Sequence, residues 1–425
     1  MTDPDVLVVG GGLGAYTAAL AARRREPDAT VHVVAGLDSP FDRGTGLIDV
    51  LGVAPGGTRP VRDPFEVIPD LPAAHPYRRV GTDALHEGLA LFDDATGGDY
   101  CGDHTAANAL VPTLLGSLAP AARYPAAVAP GLASAEASTL LVGFEGLPDF
   151  HTPSAADRLS AAGVPFDVDG VTTTLPFDVG DESPALAVAS VLDAETGPDA
   201  PRDALADRIA SVHDGAERIG LPAVLGVERV ADVHASIAAA VDADVFEVPL
   251  GPPSILGRRL ERSLQTALSD AGVTLAEGIV TDFETDQGGL SRVSISPGAG
   301  DGDDRTVAPG AVVLATGGPA DGGIVADRET VREPVFETHV HTPDGSDVRA
   351  REDPFGDHPF ARYGVRVDDA TRLLSADGTP AYENCFAAGS VLGGHDFVAE
   401  RSVTGVALAT GVVAGRQAVE AAFDR

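Results

Sequence analysis

Hydrophobic and polar positions change period several times along the chain, and each change marks an element. Val6–Val9 is an unbroken apolar run; Gly10, Gly11 and Gly12 follow, then an alanine-rich stretch to Arg25, then a second apolar run, "VHVVA", ending at Ala35. Short apolar runs bounded by turn residues predict buried strands, and the alanine-rich segment predicts a helix. The opening is therefore a β-α-β unit. From Pro40 to about Pro130 the sequence is dense in glycine and proline with weak periodicity, which predicts a loop-heavy insertion. "STLLVGFEGLPDF" from Ser138 predicts a buried strand and turn, and Thr152–Gly163 a short helix capped by Thr152 or Ser154. Helical patterning returns in "RDALADRIASVHDGAERIG" and "VERVADVHASIAAAV", so this region is expected to be mixed α/β.

A proline-stiffened link, Phe246–Leu260, leads into a predicted helix of about five turns ending near Gly272. Alternating segments, "GVTLAEGIVTDFE" and "LSRVSISP", predict antiparallel strands before the buried strand that begins "AVVLATGG" at Ala311. A second excursion runs from Pro319 to about Tyr363. The chain closes with a strand, a glycine loop and a helix over Val403–Phe423. The expected fold class is α/β: a discontinuous Rossmann-type flavin-binding domain of three ββα layers, with an inserted mixed α/β second domain. Residues 1–53, 250–318 and 365–425 are assigned to the first, and 54–249 and 319–364 to the second, a cap for substrate and subunit contact.

Charge narrows the setting. Acidic residues number 64 against 29 basic ones, all arginine, for a formal net charge of −35. A lysine-free acidic surface suits concentrated salt, where carboxylates hold water and ions screen their repulsion. It opposes nucleic-acid binding, which needs a basic face, and direct docking on an anionic membrane. Cys101 and Cys385 are the only cysteines, and their separation supports neither a disulfide framework nor a zinc or iron–sulfur site. No leader and no apolar run of about 18 residues is evident, so a cytoplasmic chain without a membrane span is expected.

The candidate chemistry gathers at glycine loops. Gly10, Gly12 and Ala15 satisfy G-x-G-x-x-G/A, which between a strand and a helix is a strong signal for nucleotide phosphates. Gly11, Leu13 and Gly14 complete this loop. The acid that usually binds an adenosine ribose would fall at Ala35, which cannot accept those bonds. Either Asp38 reaches back, or adenosine is held loosely, or the ligand is a mononucleotide. Gly46, Thr316, Gly317, Gly389, Gly393, Gly394 and Asp396 are the remaining cofactor candidates, since glycine lets backbone approach a ring closely. Arg258, Arg328, Arg332 and Arg401 are candidates for an anionic substrate. His339, His341 and His395 are candidate bases, with His395, inside the glycine loop, the best placed for catalysis. No metal site is expected.

Laid in order, "GTGLIDVLG", "TLLVGFEGLPDF", "FEVPLGPPSILGRRL", "LATGGPADGGIVADRETVREPVF" and "AAGSVLGGHDFVAERSVTGVALATG" give a chain that resembles, over its whole length, the B subunit of anaerobic glycerol-3-phosphate dehydrogenase in its haloarchaeal form. The resemblance implies a flavin, FMN or FAD, and a membrane-associated complex that oxidises sn-glycerol 3-phosphate to dihydroxyacetone phosphate and passes electrons to quinone. It implies an A subunit carrying FAD and a C subunit carrying iron–sulfur clusters, with attachment to the cytoplasmic face of the membrane through these partners. Ala35 tilts the choice toward FMN or weakly held FAD. A stand-alone fumarate-reductase-like oxidoreductase and a non-catalytic assembly subunit are the competing readings.

Overall fold

A computed structural model describes residues 2–424 apart from 103–106, 148–149, 180–183, 195–199, 299–303, 328–329 and 343–357. The chain divides into two compact units, Met1–Pro40 with Asp49–Thr96 and Leu264–Arg425, and Phe41–Ile48 with Gly97–Ser263.

The first unit is built on a five-stranded sheet in the order Thr274–Glu277, Val31–Ala35, Val6–Val9, Ala311–Leu314, Cys385–Ala387, with every pairing parallel. A parallel sheet needs cover on both faces, which explains why its strands are apolar throughout rather than alternating. On one face Leu7, Val9, Val312 and Leu314 share a core with Leu290, Val293 and Ile295 of a three-stranded antiparallel sheet, Ile279–Asp286, Gly289–Ser296 and Arg305–Val307. Helices Leu13–Arg25 and Val403–Phe423 pack together and form the third layer. Glycine lets their backbones meet: a Cβ on Gly411 would come within 2.8 Å of Thr17 Cβ, and one on Gly415 would strike the Ala18 carbonyl.

The expected loop-heavy insertion contains a 15-residue helix, Thr82–Thr96, whose Leu85, Leu89 and Phe92 recur at helical spacing and are buried. Its Gly88 lies against the backbone of Leu408 in the C-terminal helix. Residues 54–96 and the described part of 319–364 therefore pack with the first unit, where the sequence reading had placed them in the inserted domain.

The second unit has its own four-stranded parallel sheet in the order Asp244–Val248, Arg218–Pro222, Thr139–Glu145, Val168–Thr174. Helices Thr152–Ala161, Pro201–Val212 and Val230–Val241 contribute to a core around Leu141, Val142, Ile219, Leu221 and Phe246. His151, rather than Thr152 or Ser154, caps the first of these helices, its Nδ1 accepting the Ser154 amide at 3.3 Å. Thr152 is engaged elsewhere, donating to the Val171 carbonyl at 2.7 Å.

Candidate functional site

In the first unit, the turn after Val6–Val9 is shaped by close backbone approach. Gly10 has φ +130°, a region that favours glycine, and a side chain there would strike the Ala315 carbonyl. Gly12 is the N-cap of Leu13–Arg25 and offers no side chain to the helix end. The amides of Leu13, Gly14 and Ala15 have no carbonyl one turn back to bond, so the positive end of the helix stays open. Gly14 sits 3.3 Å, measured from an added Cβ, from Gly389 of the C-terminal glycine loop. Thr316 adds a buried hydroxyl without a hydrogen-bond partner, next to Gly317 at φ +89°. Open amides, a cradle that side chains would fill and an orphaned hydroxyl fit a nucleotide phosphate. Of the predicted cofactor residues, Gly10, Gly11, Gly12, Leu13, Gly14, Ala15, Thr316, Gly317 and Gly389 lie in this region.

A second helix end is built the opposite way. At the start of Val403–Phe423 the Thr404 amide donates to Asp49 Oδ1 at 2.9 Å and the Gly405 amide to the Asp49 carbonyl at 2.7 Å. Thr404 Oγ1 lies 2.5 Å from Asp49 Oδ1 and accepts the Asp49 amide at 2.7 Å. Burial pushes the Asp49 carboxyl up, while the Thr404 bonds and the Arg401 charge pull it down. Tyr77 completes the plug, donating to the Val50 carbonyl at 2.5 Å. The chain itself fills this end at Thr404 and Gly405, which takes those two amides from any flavin edge.

Beside the plug lies a buried histidine pair. His75 Nδ1 accepts the Tyr77 amide at 3.1 Å, which puts the ring proton on Nε2, 3.0 Å from Glu400 Oε2. Glu400 Oε1 accepts the Asp396 amide at 3.1 Å. His395 stands edge-on to His75, ring centroids 5.3 Å apart, and is 2% exposed, with the Gly393 backbone as its polar neighbour. Burial and the neighbouring His75 hold it down at about 4, so the ring is neutral near pH 7.

The whole architecture matches a known family model, FAD binding domain, over residues 5–406. A Halobacterium salinarum protein, the probable B subunit of an anaerobic glycerol-3-phosphate dehydrogenase, is 46% identical over 99% of both chains. This chain belongs to that family of B subunits. The corresponding anaerobic glycerol-3-phosphate dehydrogenase B subunit of Yersinia enterocolitica is 28% identical, covering 98% of each chain. Among solved structures, the FrdA chain of E. coli quinol fumarate reductase is 12% identical with a TM-score of 0.44, covering 100% of this chain and 71% of that one. The chain is thus an FAD-binding-domain oxidoreductase component, and among the described residues no helix is long and apolar enough to cross a membrane.

The remaining predicted residues of this B subunit are dispersed. Gly393 and Gly394 pack against Gly364 and the Ala74 carbonyl, and Asp396 caps Phe397–Glu400 by accepting the Ala399 amide at 3.0 Å. Gly46 belongs to the second unit, at φ +73° against Leu256. Arg258, also in the second unit, is committed to Asp42, with Nε 2.8 Å from Oδ1. Arg332 is exposed on a two-stranded ribbon, and Arg401 is exposed with φ +49° at the end of the helix Phe397–Glu400. Arg328 lies outside the described residues. His339 is exposed and His341 half-buried. Sequence reasoning missed His75, Glu400 and Asp49; the run "AAHPYRR" gives no hint that its histidine is fully buried.

Proposed function

We propose that this chain is the flavin-bearing B subunit of an anaerobic glycerol-3-phosphate dehydrogenase complex that oxidises sn-glycerol 3-phosphate to dihydroxyacetone phosphate and passes electrons to quinone. In this reading it works with an FAD-bearing A subunit and an iron–sulfur C subunit, which hold it at the cytoplasmic face of the membrane. The supporting observation is the open helix end between Gly10 and Ala15, backed by the unpartnered Thr316 hydroxyl. When bound, the flavin supplies a two-electron acceptor. The chain would hold its phosphates on the amides of Leu13, Gly14 and Ala15; His395, the candidate base, is neutral at working pH but sealed from solvent as the chain stands. His75 and Glu400 fix the ring's surroundings through their own hydrogen bond.

For the flavin we propose FAD. The strand register sets Glu277 beside Ala35 on the same face of the sheet, with the Gly278 amide bonded to the Ala35 carbonyl at 2.9 Å. The carboxylate absent from the second strand is thereby present on the neighbouring strand, exposed, where it would take the ribose hydroxyls. The sealed position of His395 favours one competing reading, in which the chain relays electrons without touching substrate.

The test is to purify the chain in high salt, record its visible spectrum and identify the released flavin by chromatography. A colourless, folded protein would overturn the reading in favour of an assembly role. Replacing Glu277 with Ala is expected to weaken FAD by roughly tenfold or more, the scale of a lost charge-assisted hydrogen bond, and to leave FMN unchanged. Anaerobic glycerol 3-phosphate then separates the roles: bleaching of the chain alone assigns it the chemistry, and bleaching only with the A subunit makes it a relay.

A further inference from the structure

A cavity of about 30 Å³ opens in the first unit beside the histidine pair, and three of its lining side chains are Arg79, Arg366 and His341. Water needs roughly 10–15 Å³ by the same measure, so the enclosed space takes about two oxygen atoms of an anion whose remainder stands in the open mouth. Its wall also includes Gly393 and Gly394, the two residues before His395, and Ala74 and Pro76, which flank His75. The backbone that carries both buried histidines thus forms part of the wall, and Arg79 and Arg366 form another part beside Val365, Val367 and Leu392.

Two arginines on one small cavity run against the balance of a chain with 64 acidic and 29 basic residues. Neither is neutralised closely. Among the described residues Arg366 has no ion pair, and Arg79 has only a long one, 3.6 Å to Asp369, whose side chain is 82% exposed. The backbone beneath is fixed by hydrogen bonds. Val340 and His341 pair with Val365 and Gly364, Val365 bridges to Leu392, and the Gly393 amide donates to the Val365 carbonyl at 3.0 Å. Gly394, at φ +90°, is held 2.5 Å, from an added Cβ, from the Ala74 carbonyl. The mouth stays open to solvent, since Ala74 and Arg366 are exposed.

We propose that this cavity is an oxyanion site, in which Arg79 and Arg366 take the phosphate of a phosphomonoester while His341 lines the floor. Planar guanidinium groups suit phosphate oxygens, and a cavity with low-dielectric walls concentrates their field within an otherwise negative molecule. Of the arginines singled out in the sequence, Arg258, Arg332 and Arg401 are not among the lining residues. That the ester is a polyol phosphate rests on the function proposed above; that the site takes phosphate oxygens does not.

Binding of glycerol 3-phosphate, inorganic phosphate and glycerol to the full chain is measured calorimetrically at constant molar salt, alongside Arg366→Gln, Arg79→Gln, Arg366→Lys and the control Arg292→Gln. The expected result is that each Gln variant weakens glycerol 3-phosphate at least tenfold, that Arg366→Lys recovers part of the loss, and that Arg292→Gln and the absence of glycerol binding mark the specificity. Unchanged affinity in the two Gln variants, with melting temperatures equal to the parent chain, would overturn the site. So would glycerol binding as tightly as its phosphate. If inorganic phosphate binds with the same arginine dependence but glycerol 3-phosphate binds no better, the oxyanion site stands and the polyol-phosphate reading falls.

Discussion

Two helices of the first unit begin at small-residue turns, and their N-termini are finished in opposite ways. Leu13–Arg25 starts after Gly12 with no side-chain cap, leaving amides free beside a buried, unpartnered hydroxyl. Val403–Phe423 starts after Ser402, and Asp49 occupies its amides with both carboxylate and carbonyl. A helix end carries about half a positive charge and several unpaired amides wherever it occurs, so the chemistry of the two ends is alike at the outset. What distinguishes them is whether another part of the chain supplies the anion. Where it does, the end is structural; where it does not, the anion must come from a ligand.

The largest effect is expected at the open end. Gly12 has room for a methyl group, the nearest atom to an added Cβ being Pro40 Cγ at 3.5 Å, so a branched side chain there is expected to crowd the turn without breaking the backbone. Gly12→Val should lower flavin retention by at least about 100-fold with the fold intact, the scale of losing several phosphate contacts. The ratio of flavin to protein absorbance, read beside the circular dichroism spectrum, checks it. Full occupancy in this variant would erase the distinction between the two ends.

Next comes the loop that precedes the plugged end. His395 is held at about 4 in the folded chain against about 6.5 unfolded, so between those values the unfolded state binds more protons. Stability is therefore complete above pH 6.5 and falls as pH drops toward 4, by roughly 3 kcal/mol for this one group. Denaturant titrations across that range, compared with His395→Gln, should show the variant losing this share of the slope. Identical slopes would mean that the ring reaches water.

The smallest effect belongs to the plug itself. Asp49→Ala removes the carboxylate that accepts the Thr404 amide, keeps the carbonyl that accepts Gly405, and should cost about 1–2 kcal/mol, without loss of flavin. If Asp49→Ala loses flavin as Gly12→Val does, both ends serve the cofactor.

Much of the first unit was legible because its signals are local. The apolar runs, the glycine turn and the final helix follow from patterning. The helix Thr82–Thr96 was missed because prolines and glycines on both sides hide its short apolar stripe. The candidate site divides the same way. Gly10 to Ala15 and Thr316 follow strand ends, where phosphate chemistry has a sequence signature, whereas Arg79, His75 and Asp49 come from segments with none. Arg258 looked available in the sequence and is taken by Asp42, a partner 216 positions away.

The sequence alone determined the strands and helices at the two ends of the first unit, the acidic lysine-free composition and the glycine turn after the first strand, because these depend on side-chain period, composition and glycine at fixed spacing. Only the tertiary structure decided which charges are spent and which remain. Asp49 closes one helix end, Glu277 comes into register beside Ala35, and Arg79 meets Arg366 at a cavity because sheet pairing and helix packing join residues hundreds of positions apart. Electrostatic partnership falls off with distance in space, and distance along the chain does not report it.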